Sequence, residues 1–576
     1  MFRRIVLAVV VSALLVVPTV GLGAGRQGPT TIDRSIVAEG ERDLGYGPGQ
    51  TRVTRALDWD DPAGSPQGVV AFKQLSDVHV IDEESPGRVE YFDACTSNER
   101  GFSSAYRPQE AMSTQVGDSM LRLLAKITKG PETDVPFSFV ISTGDNVDNN
   151  QLNETRWFIR LLDGDTVKPN SGGSTYDGYR QDKYSEALPD EILELAQKKF
   201  DAVGTKGPWY AVLGNHDGLV QGNVPLNDSF QGLVLRPSKA MPNLDTYSDC
   251  PTGYDDPNIL NKVTNAFLCC SRPVPADPDR RFLTHEELID EYLASSGKPA
   301  GHGFKRAPDD PLHGSRAGYY SFPIRRPIDI GPGRSAAAIP DLVRGISLDT
   351  ISYNNYATGN LPDPQFAWLE KQLKKWSTQY YEAGELVSNP KGQDRLIVLF
   401  SHHSSVSLNA PSEDPAGAPY HCFTEADAEH CAGAEGLHSL IQRFPNVIAW
   451  VDGHEHNNRI RPYSAPAGAD PALGFWEINT AAHIDWPQQA RLIEIAYVPG
   501  KGGADDTVLI YATAVDSSAP TDPDQGAQSL VQFLASTSRV EAYYDACVRP
   551  LQADCTALGA PEDINVKLVQ KAPFDI

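Results

Sequence analysis

Short apolar runs alternate along this chain with stretches whose apolar residues recur at helical spacing. "GVVAFKQL" (68–75), "VPFSFVIST" (135–143), "WYAVL" (209–213), "RGISLDT" (344–350), "RLIVLF" (395–400) and "VIAWV" (447–451) read as strands. "STQVGDSMLRLLAKITK" (113–129), "PDEILELAQKKFDAV" (189–203), "DPQFAWLEKQLKKW" (363–376) and "AEGLHSLIQRF" (434–444) read as helices. The helical stretches keep the 3.6-residue period, while the strand runs are apolar enough to be covered on both faces. Strands and helices in alternation predict an α/β architecture with largely buried sheets.

Three segments break the rhythm. Residues 25–66 are polar and rich in Gly and Asp, and predict an extended leader on the surface. Residues 218 to about 318 are crowded with Pro, Asp, Gly and Asn and show one clear helical patch, "LTHEELIDEYLAS", which predicts a long insertion over one end of the sheet. The tail, 516–576, carries a helical stretch, "GAQSLVQFLASTSRVEAYYDAC", without a functional reading. The main domain is therefore expected over 67–515. At the N-terminus, Arg3 and Arg4 precede an apolar run from Ile5 to Val17, then Pro18 and small residues around Gly21 to Gly25. That is the pattern of a signal peptide, placed at 1–24, and the paired arginines also suit a twin-arginine route in place of the general one. The run falls short of the roughly 20 residues a spanning helix needs, so no stable membrane anchor is expected.

Export outside the cytoplasm changes the reading of the eight cysteines, which there favour disulfides over free thiols. Cys422 with Cys431, and Cys547 with Cys555, are close enough to staple loops; the remaining connectivity stays open, above all for the adjacent Cys269 and Cys270. The net charge of -25 over 576 residues repels polyanions, so no nucleic-acid partner is expected. An anionic substrate would have to be drawn in locally, against that field.

The candidate chemistry sits where the strands end. Asp77 and His79 follow the first strand, Asp145 the second, and Asn215, His216 and Asp217 the third; His402 with His403, and His454 with His456, follow two later ones. In an open α/β protein such ends gather at the edge where ligands bind. Residues i and i+2 on an extended segment face one way, so each of the pairs Asp77/His79 and His454/His456 can offer two donors to one point. Four imidazoles, two carboxylates and one amide exceed what one tetrahedral ion takes, and suit two ions sharing a carboxylate. Mixed N and O donors fit divalent or trivalent transition metals, manganese, iron or zinc foremost. His285, His302 and His313 lie in the insertion and read as ordinary surface histidines; His403 and His483 can be either supporting residues or substrate contacts.

These blocks, Asp77-Val78-His79, Gly144-Asp145, Gly214-Asn215-His216-Asp217, His402 and Gly453-His454-Glu455-His456, resemble in order the pattern of the calcineurin-like metallophosphoesterase superfamily, here with long insertions of the kind seen in exported bacterial members. The resemblance covers roughly 68–500. It implies an α-β-β-α sandwich of two mixed sheets flanked by helices. It further implies that Asp77, His79, Asp145 and His456 hold one metal ion, that Asp145, Asn215, His402 and His454 hold the other, and that His216 protonates or stabilises the leaving oxygen while Asp148 orients it. Asp148 stands where the purple acid phosphatase branch has a metal-binding tyrosine, so no ferric-tyrosinate colour is expected. The implied activity is hydrolysis of small phosphate mono- or diesters by metal-activated hydroxide. The alternatives are a non-catalytic secreted metal-binding protein and an exported nucleotidase; the substrate and oligomeric state are not legible.

Overall fold

The strand Leu396–Phe400 shows in miniature how the molecule is layered. Leu396, Val398 and Phe400 enter one apolar core while Ile397 and Leu399 enter another, so both faces of this five-residue strand are covered. The computed structural model describes residues 29–95, 102–180, 188–253, 256–313, 316–327, 341–410, 420–425, 431, 434–549 and 555–576. Two sheets dominate it. One has seven strands in the spatial order Val53–Leu57, Asn565–Lys571, Thr507–Asp516, Gln489–Val498, Gln67–Leu75, Phe137–Thr143 and Trp209–Val212. The other has six, in the order Tyr320–Ile324, Val343–Ser347, Leu396–Phe400, Val447–Asp452, Phe475–Asn479 and Arg459–Tyr463.

Both sheets are mixed. Gln67–Leu75, Phe137–Thr143 and Trp209–Val212 run parallel, and Gln489–Val498 is antiparallel to the first of them. In the second sheet, the four strands from Val343–Ser347 to Phe475–Asn479 are parallel and the two outermost are antiparallel. The sheets meet face to face through aromatic rings: Phe72 lies 5.5 Å from Phe400, and Phe322 lies 4.0 Å from Tyr210, centroid to centroid. Helices Ser113–Lys126 and Leu152–Asp163 cover the seven-stranded sheet, while Asp363–Lys375 and Leu437–Ile441 cover the other. The fold is thus the expected sandwich of two mixed sheets between helices.

Several elements differ from the sequence-based expectation. The predicted helix 189–203 stops at Ala196, after which Phe200–Asp201 pairs with Thr166–Val167, and that at 434–444 is only Leu437–Ile441. The leader is not merely extended: Val53–Leu57 joins the larger sheet beside Asn565–Lys571 from the tail. Helix Leu530–Cys547 packs on Ser113–Lys126, and its buried Arg539 donates to the carbonyls of Ala519 and Ser517. The segment 218–318 contains helices Asp228–Val234 and Ile259–Cys270 besides His285–Ala294. The second was hidden by its Asn and β-branched residues, which weaken the local helical signal; packing of Val263, Ala266 and Phe267 into a satellite core supplies what propensity does not.

All eight cysteines are paired, Cys95 with Cys250, Cys269 with Cys270, Cys422 with Cys431 and Cys547 with Cys555. Among the described residues no helix is long and apolar enough to cross a membrane. The segment 1–24 lies outside the described residues.

Candidate metal centre

Five strand ends, three from the larger sheet and two from the smaller, deliver their polar residues to one edge of the sandwich. All seven predicted ligands meet there. The ligand atoms of Asp77, His79, Asp145 and His456 lie within 4.8 Å of one another, and so do those of Asp145, His402 and His454. Asp145 belongs to both groups. His402 Nε2 is the hub, 3.1 Å from Asp145 Oδ2, 3.0 Å from Asn215 Oδ1 and 3.2 Å from His454 Nδ1. On the other side His456 Nε2 is 3.3 Å from Asp77 Oδ1, and His79 Nε2 is 3.6 Å from Asp145 Oδ2.

The local backbone is not the extended ribbon that the i, i+2 argument assumed. Asp77, His79, Asp145, His454 and His456 all have φ between 44° and 70°, the left-handed region that L residues avoid. The pairs converge because each loop kinks at its ligands, and such kinks, at about 1–3 kcal/mol each, persist where the surroundings over-determine them. Two glycines permit the crowding. Gly144 has φ 93° and a Cβ there would sit 2.6 Å from His402 Nδ1; a Cβ on Gly453 would meet Ser76 Oγ at 1.9 Å.

Each imidazole is fixed by its other nitrogen. His402 Nδ1 donates to the carbonyl of Thr143 at 2.9 Å, which leaves Nε2 as the inward lone pair. His456 Nδ1 is 2.6 Å from Asp485 Oδ2, and Asp485 also pairs with Arg107 at 2.8 Å. His79 Nδ1 is 3.0 Å from Asp148 Oδ1, so its buried Nε2 faces the cluster with no hydrogen-bond partner. His216 stands beside His79, ring centroids 4.5 Å apart, its Nδ1 2.6 Å from the carbonyl oxygen of Asp148.

That last contact adds the Asp148 main chain to the role expected of its carboxylate. Its carboxylate orients His79 and forms an ion pair with the fully buried Arg88, while its main chain holds His216. The carboxylate stays 3.6 Å from His216 Nδ1. His79, Asp148 and His216 also cluster within 4.8 Å, but with Asp148 committed to Arg88 they read as a hydrogen-bonded network. Asp485 and Arg88 were missed by sequence reasoning, since a lone acid in "HIDWP" and a lone Arg in "SPGRVE" carry no pattern. His403 and His483 are buried supports, His403 between Thr350 Oγ1 and the Ala357 carbonyl and His483 on the Ser76 carbonyl.

The electrostatics agree with a site built for positive charge. Burial alone would raise Asp145, yet His402, His216 and His79 hold its carboxyl well below the ordinary range. Against burial, Asp145 and Asp77 push His402 up to about 9, and Asp77 with Asp485 push His456 up to about 10. Burial and the adjacent His402 pull His454 down to about 3. The protein alone thus balances its buried carboxylates with imidazolium protons. The orphaned His79 Nε2, the Asn215 oxygen and the facing His402 and His454 nitrogens form a donor set that fits transition-metal cations as a replacement for those protons.

With this geometry in hand, two comparisons bear on identity. The sequence model of the calcineurin-like phosphoesterase family matches residues 71–458. A curated relative, the glycerophosphodiester phosphodiesterase GpdQ of Enterobacter lignolyticus (strain SCF1), is 26% identical over 144 residues, which make up 25% of this chain and 41% of that protein. The chain therefore spans less than half the length of the relative it matches.

Proposed function

This chain belongs to the calcineurin-like phosphoesterase family, and from that premise we propose that it is an extracytoplasmic phosphoesterase that hydrolyses a small phosphate mono- or diester with two metal ions. Asp77, His79, Asp145 and His456 hold one ion in this reading; Asp145, Asn215, His402 and His454 hold the other. Manganese, iron or zinc suits the donors. When bound, such ions supply charge neutralisation for the phosphoryl oxygens and acidify the attacking water. The observation that carries the reading is the hub at His402 Nε2, within 3.2 Å of atoms delivered by Asp145, Asn215 and His454 from three separate loops.

The protein's own residues do the rest. A carbonyl oxygen only accepts, so the Asp148 carbonyl fixes a proton on His216 Nδ1 and leaves Nε2 as the nitrogen able to meet the ester. Burial pulls His216 down to about 4, so the ring is largely neutral near pH 7; its imidazolium fraction donates to the leaving oxygen and becomes neutral imidazole once the proton has moved. Asp148, pinned by Arg88, keeps His79 and His216 in register. Burial of Asp77, Asp145, His79 and His402 keeps bulk water from competing for the donors.

The test is release of p-nitrophenol from p-nitrophenyl phosphate and from bis(p-nitrophenyl) phosphate by chelator-stripped and by metal-reloaded protein. The diester is included because the relative is a glycerophosphodiester phosphodiesterase. Turnover by the reloaded protein alone is expected. Substituting His216→Ala should lower kcat by about 10²–10⁴-fold with metal content unchanged. If wild-type protein with two bound metals per chain turns over neither ester nor any other phosphate ester of a broad panel, the non-catalytic metal-binding reading replaces this one.

A further inference from the structure

We propose that His285, Asp310 and His313, none of them among the seven donors above, form a third metal site that takes one divalent cation of the zinc class. His285 opens the helix His285–Ala294, and Asp310 and His313 follow on a turn closed by the bridge between Asp309 and Arg316. One ligand atom from each lies within 4.8 Å of the others. His313 Nδ1 is 2.6 Å from Asp310 Oδ2, and the His285 and His313 rings stack with centroids 4.6 Å apart.

A plain hydrogen-bonded pair accounts for His313 and Asp310 but not for His285. The His285 side chain is only 4% exposed, and both of its ring nitrogens are buried without a hydrogen-bond partner. Buried imidazoles ordinarily satisfy at least one nitrogen, so an unsatisfied ring beside a histidine and a carboxylate has donor capacity for a partner entering from the cavity, and a cation is the partner that engages all three side chains at once. His285 is not a surface residue, and neither is His302, which is fully buried and stacked at 3.4 Å on Trp209: this part of the segment 218–318 packs onto the main core through Leu283, Leu288, Tyr292 and Phe304.

The cluster lines a cavity of about 600 Å³ together with Asp349, Tyr353 and Gly218. Asp349 Oδ2 is 3.8 Å from His285 Nε2, too far to satisfy it, and is held there by the Tyr353 hydroxyl at 3.0 Å. Two imidazoles and a carboxylate are a donor set that zinc accepts as three of four ligands. The fourth position then faces the cavity, where water or an anionic oxygen can enter. The carboxylates of Asp310 and Asp349 favour a cation over an anion here.

The experiment counts zinc. Full-length protein is stripped with a chelator, incubated with zinc chloride, freed of unbound metal by gel filtration and measured by mass spectrometry for zinc per chain. Wild type should retain one zinc more than His285→Gln/His313→Gln and one more than Asp310→Asn, with near-ultraviolet circular dichroism unchanged. Equal zinc content in wild type and a folded variant overturns the proposal. A second measurement needs no substitution: zinc should slow diethyl pyrocarbonate labelling of His313, which is 31% exposed, by at least about tenfold. Equal labelling with and without zinc overturns it as well. Neither readout uses ester hydrolysis, so failure here leaves the phosphoesterase reading standing, and the reverse holds.

Discussion

Gly453 offers the sharpest perturbation of the main centre. Adding a methyl group in Gly453→Ala would place a Cβ 1.9 Å from Ser76 Oγ and 2.7 Å from Asp77 Oδ2, where contacts under 3.0 Å are essentially never seen. Something must yield by about 1 Å, a large overlap in an interior packed to crystal density. Ser76 has little room: it is fully buried, its Oγ accepts from Thr143 Oγ1 at 2.9 Å and it donates to Asp77. The displacement therefore falls on the loop of Asp77. Overpacking of this size costs about 1–3 kcal/mol of stability, and a shift near 1 Å in a positioned group costs roughly 10²-fold in turnover. Urea unfolding, metal retention after gel filtration and nitrophenyl ester hydrolysis read the three consequences. Ser76→Ala removes the nearest atom and leaves a 3.1 Å contact to its Cβ, so the double variant should recover part of the loss, with a coupling of about 0.5–3 kcal/mol. Gly453→Ala indistinguishable from wild type in all three assays would refute the close packing of Gly453 on Asp77.

Three further outcomes follow from other parts of the structure. Asp485→Ala, which frees His456 Nδ1, should weaken metal retention by about 10–100-fold in a competition with a chelator, and unchanged affinity would remove Asp485 from the centre. Lys73, 7% exposed with Nζ donating to the Leu124 carbonyl at 2.6 Å, has its pKa lowered by burial to about 8. Because the unfolded chain then binds the proton more tightly, the charged form destabilises the fold below pH 8, and stability should rise by about 3 kcal/mol as pH climbs through the unfolded value near 10.4. Lys73→Met should flatten that rise in urea titrations from pH 7.5 to 10, and an unchanged slope contradicts the assignment. The Cys95–Cys250 disulfide, closing a separation of 155 residues, should contribute about 2–5 kcal/mol, read as the loss in unfolding free energy of Cys95→Ser/Cys250→Ser.

Much of the centre was legible because its chemistry needs fixed residue types just after strands, and strands with both faces covered announce themselves as apolar runs. The loops' kinks were not: spacing placed Asp77 with His79 and His454 with His456, but by a pleat that the left-handed φ values replace. Supporting residues escaped altogether. Arg88 and Asp485 come from segments far along the chain from the residues they hold, and a single charged residue has no period to read. One edge of the larger sheet was equally hidden. Val53–Leu57 alternates between partly covered and exposed positions, and nothing local says that its partner is the strand Asn565–Lys571.

That pairing constrains when the molecule can be finished. Val566 lies beside Val53 with Asn565–Lys571 wedged between Val53–Leu57 and Thr507–Asp516. A ribosome adding 5–20 residues per second makes the earlier strand roughly 25–100 s before the later one exists. Through that interval the outer margin of the sheet has no neighbour, and closure over roughly 500 residues is a long-range event of the slow kind. That late strand acts as a latch, and the full β layer can be completed only after Asn565–Lys571 has been made.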